Sequence, residues 1–317
     1  VTPQEILIAS YFLIAGLMVG SFLNVVIYRF PIYLNHGWKK NCIEFLDEQA
    51  GEKSEDGKAD SPTCPKCNKQ VLVSELYKAD KIESGKKSSF NIAYPPSHCP
   101  KCKAKIKAWQ NIPILSFLLL KGRCHSCKTK ISIRYPIIEA VTGLLTLFVY
   151  LQFGLSYETA IALLFTWSLI SLTMIDVDQL ILPDDITLPL MWLGLLANTF
   201  GLFTDLNSAV IGAIAGYLSL YSVYWAFKLI TGKEGMGYGD FKLLAALGAF
   251  MGWQSLPVII ILSSFVGAII GIGGILIYGN SRDKQIPFGP YLAIAGWIAF
   301  FFSNSIISQY LSFFNAG

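Results

Sequence analysis

Two aspartates stand where an apolar chain tolerates charge least. Asp176 ends the apolar run 163–175, and Asp240 closes Gly235-Met-Gly-Tyr-Gly-Asp240 just ahead of the apolar run 241–252. An ionisable group at membrane depth is costly unless it faces a polar cavity or a partner, so each is a functional candidate by default. If they meet, like charge keeps them from ionising together: one carboxyl holds a proton while the other activates water. Such a pair titrates as a unit and suits peptide hydrolysis. No Ser–His pairing competes, because His36, His98 and His125 all lie outside the apolar runs.

Neighbouring groups read differently. Asp178 is two residues from Asp176, so on a helix the two side chains point about 200° apart and cannot share one cavity. Asp178 is therefore expected in solvent or behind the site. Asp184 and Asp185 follow Pro183, where helix capping and function are equally good readings. Gly235, Gly237 and Gly239 free the backbone for unusual angles and close approach, so a substrate peptide could lie against this loop. No strand precedes it and the spacing is not that of a nucleotide fingerprint. Lys242 could hold a nearby carboxylate ionised, or simply anchor the helix end.

A second constellation is made of cysteines. Cys64-Pro-Lys-Cys67, Cys99-Pro-Lys-Cys102 and Cys124-His-Ser-Cys127 repeat one short motif, and the last two continue as Lys103-Ala-Lys-Ile106 and Lys128-Thr-Lys-Ile131. Each such turn points two thiolates at one centre, and two turns complete a tetrahedral zinc site. Cys99, Cys102, Cys124 and Cys127, with 21 residues between the pairs, have zinc-ribbon spacing. Four thiolates leave zinc no open position, so its role is structural. Cys64 and Cys67 could compete for that metal, bind another or be a relic of duplication. Cys42 reads as a lone buried thiol.

The elements that position these groups are membrane helices. The chain of 317 residues is 53% hydrophobic and 15% charged, with mean hydropathy +0.51. About 20 apolar residues cross a bilayer. Eight candidate spans follow, at 6–28, 136–153, 159–175, 186–203, 209–230, 241–253, 256–278 and 290–303. The sixth is short, and 306–314 could extend the last. The first span has no A-x-A-like cleavage site and is expected to remain as an anchor. Three regions result: 1–28 as first transmembrane helix, 29–135 as a cytoplasmic Cys-rich domain, and 136–317 as a transmembrane domain. Within the second, 47–61 and 78–89 read as mobile loops, and 112–120 as an apolar stretch packed in the small domain or lying on the membrane.

Of the 25 Lys and Arg, 20 lie between Arg29 and Arg134, and the other five are Lys228, Lys233, Lys242, Arg282 and Lys284. With eight spans all fall on one side, which the positive-inside rule makes cytoplasmic. Both termini then face the periplasm, and both aspartates sit at cytoplasmic span ends. The net charge of +4 follows from this topology and needs no nucleic acid, though anionic lipid would be attracted.

The chain resembles the type IV prepilin peptidases, membrane aspartic proteases of the GxGD class. The resemblance rests on Gly20-Ser-Phe-Leu-Asn-Val-Val-Ile-Tyr-Arg-Phe-Pro31, His98-Cys-Pro-Lys-Cys102, Asn111-Ile-Pro113, Gly122-Arg-Cys-His-Ser-Cys127 and Ile131-Ser-Ile-Arg-Tyr-Pro136. It continues through Ile175-Asp-Val-Asp178, Leu182-Pro-Asp184, Thr231-Gly-Lys-Glu-Gly-Met-Gly-Tyr-Gly-Asp-Phe-Lys242 and Pro287-Phe-Gly-Pro290. It implies a bifunctional enzyme of a bacterial inner membrane. Such an enzyme removes the basic leader of prepilins and type II secretion pseudopilins on the cytoplasmic side. It then N-methylates the new terminus with S-adenosylmethionine. The family's catalytic aspartates map to Asp176 and Asp240, and its four-cysteine motif to Cys99, Cys102, Cys124 and Cys127. Gly20, Asn24 and Arg29 match too, either shaping the methyl-transfer junction or packing and anchoring the first helix. The longer 47–93 region with Cys64 and Cys67 departs from the family. A proton or ion transporter and a zinc-bearing assembly scaffold are the competing readings; neither accounts for all the motifs. The sequence carries no signal for oligomeric state.

Overall fold

A computed structural model describes residues 2–52, 96–278 and 287–315. Cys64, Cys67, Arg282, Lys284 and the stretch 78–89 lie outside the described residues. The described chain is helical, with no sheet; two isolated antiparallel bridges, His98 with Lys105 and Arg123 with Lys130, are its only β pairing.

The helices are α1 (Pro3–Glu52), α2 (Leu115–Leu119), α3 (Arg134–Phe153), α4 (Tyr157–Gln179), α5 (Asp184–Thr199), α6 (Leu206–Thr231), α7 (Tyr238–Met251), α8 (Leu256–Tyr278) and α9 (Gly289–Asn315). Setting aside α2, eight helices stand where eight spans were expected. Five are long and apolar enough to cross a membrane by themselves: Pro3–Trp38, Arg134–Phe153, Tyr157–Gln179, Leu206–Thr231 and Trp253–Gly273. The last helix runs on through 306–314 to Asn315, as the extension reading expected.

The first helix does not stop at Tyr28. It continues to Glu52 as 50 residues, about 75 Å at the usual rise, and takes in the start of the stretch expected to be a loop. The apolar period explains the difference. Leu23, Ile27 and Phe30 form one buried cluster with Ile138 and Ile175, and Leu34 packs against it. This three-to-four residue repeat runs straight past the expected end. Pro31 removes one backbone hydrogen bond without ending the helix.

The short helix α2 lies within the apolar stretch 112–120. Ile112, Leu115, Leu118 and Leu119 are all exposed, which fits the membrane-surface reading of that stretch better than packing in a small domain.

The core is centred on α7. Ten of its 14 residues are buried, among them Phe241, Leu243, Leu244, Leu247 and Phe250. A helix apolar all round belongs in the middle of a bundle. Small residues let its neighbours approach: a Cβ on Gly216 of α6 would fall 2.6 Å from the Leu244 carbonyl oxygen. Gly212 and Gly248 cross just as closely, so the small-residue spacing of Gly212 and Gly216 does pack helices. Buried Asn198 secures the far end of α7. Its amide donates to the carbonyls of Ala249 (2.8 Å) and Phe250 (3.1 Å), and its oxygen accepts the N–H groups of Phe203 and Thr204. These bonds satisfy carbonyls that the helix end leaves unpaired.

The α1–α3 pair is held equally tightly. A Cβ on Gly16 would meet Thr146 Cβ at 2.6 Å, and one on Gly20 would meet the Glu139 Cα at 2.7 Å. Gly20 therefore has a packing role, and it brings α1 directly against Glu139.

Candidate active site and metal centre

Asp176 lies in the last turn of α4 and is 5% exposed; Asp240 lies in the first turn of α7 and is 7% exposed. The chain leaves α4 through Leu180 in the left-handed conformation (φ 55°), whose N–H returns to the Asp176 carbonyl at 2.9 Å. It then runs through Leu182 and Pro183 into α5. Leu182 ties the site together. A Cβ on Gly239 would sit 2.7 Å from Leu182 Cβ, and one on Gly289 would sit 3.1 Å from both Leu182 methyls. The end of α4 and the starts of α7 and α9 thus converge on one side chain. Asp240 directly follows Gly239, and Asp176 takes the Gly289 N–H, so both carboxyl-bearing turns lie against Leu182.

The glycine loop works by closeness, not by unusual angles. Gly235, Gly237 and Gly239 all lack positive φ, contrary to that half of the expectation. Gly237 is extended at the N-terminus of α7 (φ −81°, ψ 148°), and its carbonyl accepts the Asp240 N–H at 3.2 Å. A side chain at Gly235 would strike Phe227, and one at Gly239 would strike Leu182. Lack of a Cβ lets this loop lie flat on its neighbours.

Sequence reading gave no role to Gly289. Its backbone N–H donates to Asp176 Oδ2 at 3.0 Å, and its own Cβ would lie 2.7 Å from that oxygen. The signal was there in Pro287-Phe-Gly-Pro290, since glycine between prolines marks a tight approach. Its partner, 113 residues away, was not legible.

The flanking carboxylates are paired. Arg134, at the start of α3, grips Asp178 with bonds of 2.6 and 2.7 Å. Asp178 therefore points away from the pair, as its spacing required. Lys242 holds both oxygens of Asp184 at 2.7 Å, so it braces the α5–α7 corner instead of facing Asp240. Asp184 and Asp185 do lie in the first turn of α5, near its positive end as expected, although no side chain caps that N-terminus by a hydrogen bond.

The four cysteines meet. Cys99, Cys102, Cys124 and Cys127 have sulfurs all within 4.8 Å of one another, and Cys99 and Cys127 are 3.8 Å apart. A tetrahedron with Zn–S bonds of about 2.3 Å has edges of about 3.8 Å. The sequence repeat is also a structural one. In the first turn Lys103 N–H bonds the Cys99 carbonyl and Cys99 N–H the Ala104 carbonyl. In the second, Lys128 N–H bonds the Cys124 carbonyl and Cys124 N–H the Thr129 carbonyl. Lys103 (φ 58°) and Lys128 (φ 56°) occupy the same left-handed corner. Hydrogen bonding with the Thr129 side chain and backbone lowers the Cys127 thiol to about 6, which favours its thiolate form. Cys42 is exposed, not buried as its reading expected.

Between this module and the α1–α3 pair lies a cavity of about 670 Å³. Ser21, Asn24 and Arg29 of α1, Tyr135 and Glu139 line its membrane side. The Asn24 amide donates to the Tyr135 carbonyl at 3.2 Å.

Comparison with known proteins adds independent findings. Residues 14–153 match the bacterial peptidase A24 N-terminal domain, and residues 163–272 match the type IV leader peptidase family. A prepilin leader peptidase/N-methyltransferase of Stutzerimonas stutzeri is 47% identical over 304 residues, covering 95% of this chain and 93% of its own. One from Aeromonas salmonicida (strain A449) is 49% identical over 297 residues, 94% of this chain and 91% of its own. One from Neisseria gonorrhoeae is 45% identical over 293 residues, 92% of this chain and 90% of its own. No solved structure matches the chain.

Proposed function

The chain belongs to the type IV leader peptidase family, and from that membership we propose that it is a membrane-embedded prepilin leader peptidase and N-methyltransferase. Asp176 and Asp240 are the cleaving pair. The observation that carries this reading is two buried carboxylates at the ends of separate helices, whose ends both close on Leu182.

The chemistry follows from the pair. The ionised carboxylate takes a proton from water as the water oxygen attacks the scissile carbonyl. The protonated carboxyl donates to the carbonyl oxygen, and the proton returns to the leaving amine as the C–N bond breaks. The Gly289 N–H keeps Asp176 in one orientation for this exchange. The flat loop at Gly235, Gly237 and Gly239 leaves room for an extended substrate backbone.

The chain is a multi-pass membrane protein. The basic residues put the pair on the cytoplasmic side of a bacterial inner membrane, where the leaders of prepilins and pseudopilins are presented. The four cysteines fit zinc in number, spacing and sulfur separation, and would hold it as a closed structural site. Region 136–317 carries the peptidase, and 29–135 carries the metal and is associated with methyl transfer.

S-adenosylmethionine is the donor that an N-methyltransferase of this kind uses, and it supplies an activated methyl group. The cavity beside the cysteine module fits such a group: about 670 Å³ is within the usual size of cofactor sites, roughly 300–1,000 Å³.

A proton relay fits less well. Below Asp240 the centre of the bundle is filled by Phe241, Leu243, Leu244, Leu247 and Phe250, all fully buried and apolar, which offers no polar path.

The decisive experiment incubates purified protein with a prepilin, with and without S-adenosylmethionine, and weighs the intact product. Loss of the leader mass in both samples, plus one methyl group in the second, is expected. An uncut substrate would end the peptidase reading.

A further inference from the structure

Among the described residues, Glu139 is the only Asp or Glu lining the cavity between α1, α3 and the cysteine module, whereas Arg29, Lys103, Lys105 and Lys130 are basic. Glu139 is 8% exposed, and a carboxylate is buried at a cavity wall only when something holds it there. Its Oε2 accepts the Ile114 N–H at 2.7 Å, and the Ser21 hydroxyl is beside it. Ile114 gives that bond from the centre of a γ-turn (φ 58°, ψ −49°), with the Leu115 N–H on the Pro113 carbonyl, a strained backbone that a β-branched residue rarely adopts. Gly20 lets α1 close against the Glu139 backbone. A strained donor and a close-approach glycine both serve one carboxylate, and strain of this kind gathers at functional sites.

We propose that Glu139 receives the new amino terminus for methylation, and that the lysine side of this cavity takes the carboxylate of the methyl donor. The inference rests on the methyltransferase reading above and adds a site to it. Two cations must meet there, the substrate ammonium and the donor sulfonium, and Glu139 is the carboxylate among the described wall residues that can receive the ammonium, since the wall thiols Cys99 and Cys124 belong to the metal set.

The proton and electron balance is simple. The α-ammonium gives one proton to the Glu139 carboxylate. The amine lone pair then forms the N–C bond as the S–C bond of the donor breaks, leaving its electrons on sulfur. The products are an N-methylammonium and a thioether, and Glu139 returns its proton to water.

Location supports the route. Ile138 and Ile175, the residues preceding Glu139 and Asp176, pack in one buried cluster. The helices that carry the two sites, α3 and α4, are therefore in direct contact.

The test uses S-adenosylhomocysteine binding to the purified full chain by calorimetry, together with methylation of a prepilin. Leader cleavage, which depends on the separate aspartate pair, reports whether each variant is folded. Ser132→Trp, at the exposed rim of the cavity, should weaken binding at least about tenfold. Glu139→Gln should keep binding within about twofold, yet slow methylation by about a hundredfold. Glu139→Asp should recover part of the rate. Unchanged binding in Ser132→Trp would overturn the cavity assignment, and wild-type methylation by Glu139→Gln would overturn the role of Glu139. Wild-type protein that neither binds the probe nor methylates would instead remove the methyltransferase reading itself.

Discussion

Gly289 and Asp176 meet across 113 residues of chain, with the glycine N–H on Asp176 Oδ2 at 3.0 Å. No other residue type fits, because a Cβ would stand 2.7 Å from that same oxygen. Gly289→Ala should therefore push the carboxylate out of place without unfolding the bundle. Cleavage of a prepilin should fall by about a hundredfold, the usual scale for a misplacement near 1 Å. Initial rates by gel or mass spectrometry measure it; a rate within twofold of wild type would mean that Asp176 needs no such anchor.

Asp176→Asn and Asp240→Asn should each abolish leader cleavage while the protein still accumulates in the membrane. Both side chains are buried, and amides are close in size. Normal processing by either variant would break the pair apart.

Lys242 and Asp184 should behave as a structural unit. Both are partly exposed, with side chains 27% and 53% accessible, so the pair contributes only about 0.5–1 kcal/mol after solvent screening. Lys242→Ala and Asp184→Ala should lower the thermal midpoint in detergent by similar small amounts, and the double variant by little more than one alone. Additive losses would contradict the pairing.

Cys99→Ser should release bound zinc, read by elemental analysis, since one missing thiolate opens a closed tetrahedron. The cysteine module should then become sensitive to protease. Zinc content equal to wild type would move the metal to other cysteines.

Gly248→Leu should be among the most damaging changes in the bundle. Its Cα lies against the Gly212 backbone, and inserting a side chain there forces α6 and α7 apart. Overpacking of a tight core typically costs about 1–3 kcal/mol, and yield in detergent should drop visibly. A stable variant with an unchanged midpoint would show that the crossing can relax.

The hydrophobic runs, the cysteine spacing and the placement of Asp176 and Asp240 at span ends could all be read directly, because each is a local pattern in the chain. Periodicity also holds the clue to the long first helix, since Leu23, Ile27, Phe30 and Leu34 repeat without a break past the first basic residue, Arg29. The partners were another matter. Lys242 lies two positions from Asp240 in sequence, yet holds Asp184, 58 residues away. Adjacent residues on a helix face different directions, so proximity along the chain misled there.

Sequence by itself determined that this is a helical membrane protein carrying two isolated carboxylates, a glycine loop and paired thiols. Residue type and period decide those things before any folding. Only the tertiary structure decided that Leu182 joins three helix ends, that Gly289 orients Asp176, and that Glu139 faces a cavity with Arg29, Lys103, Lys105 and Lys130 in its described wall. Those relations join side chains far apart in the chain, and helix packing alone brings them together.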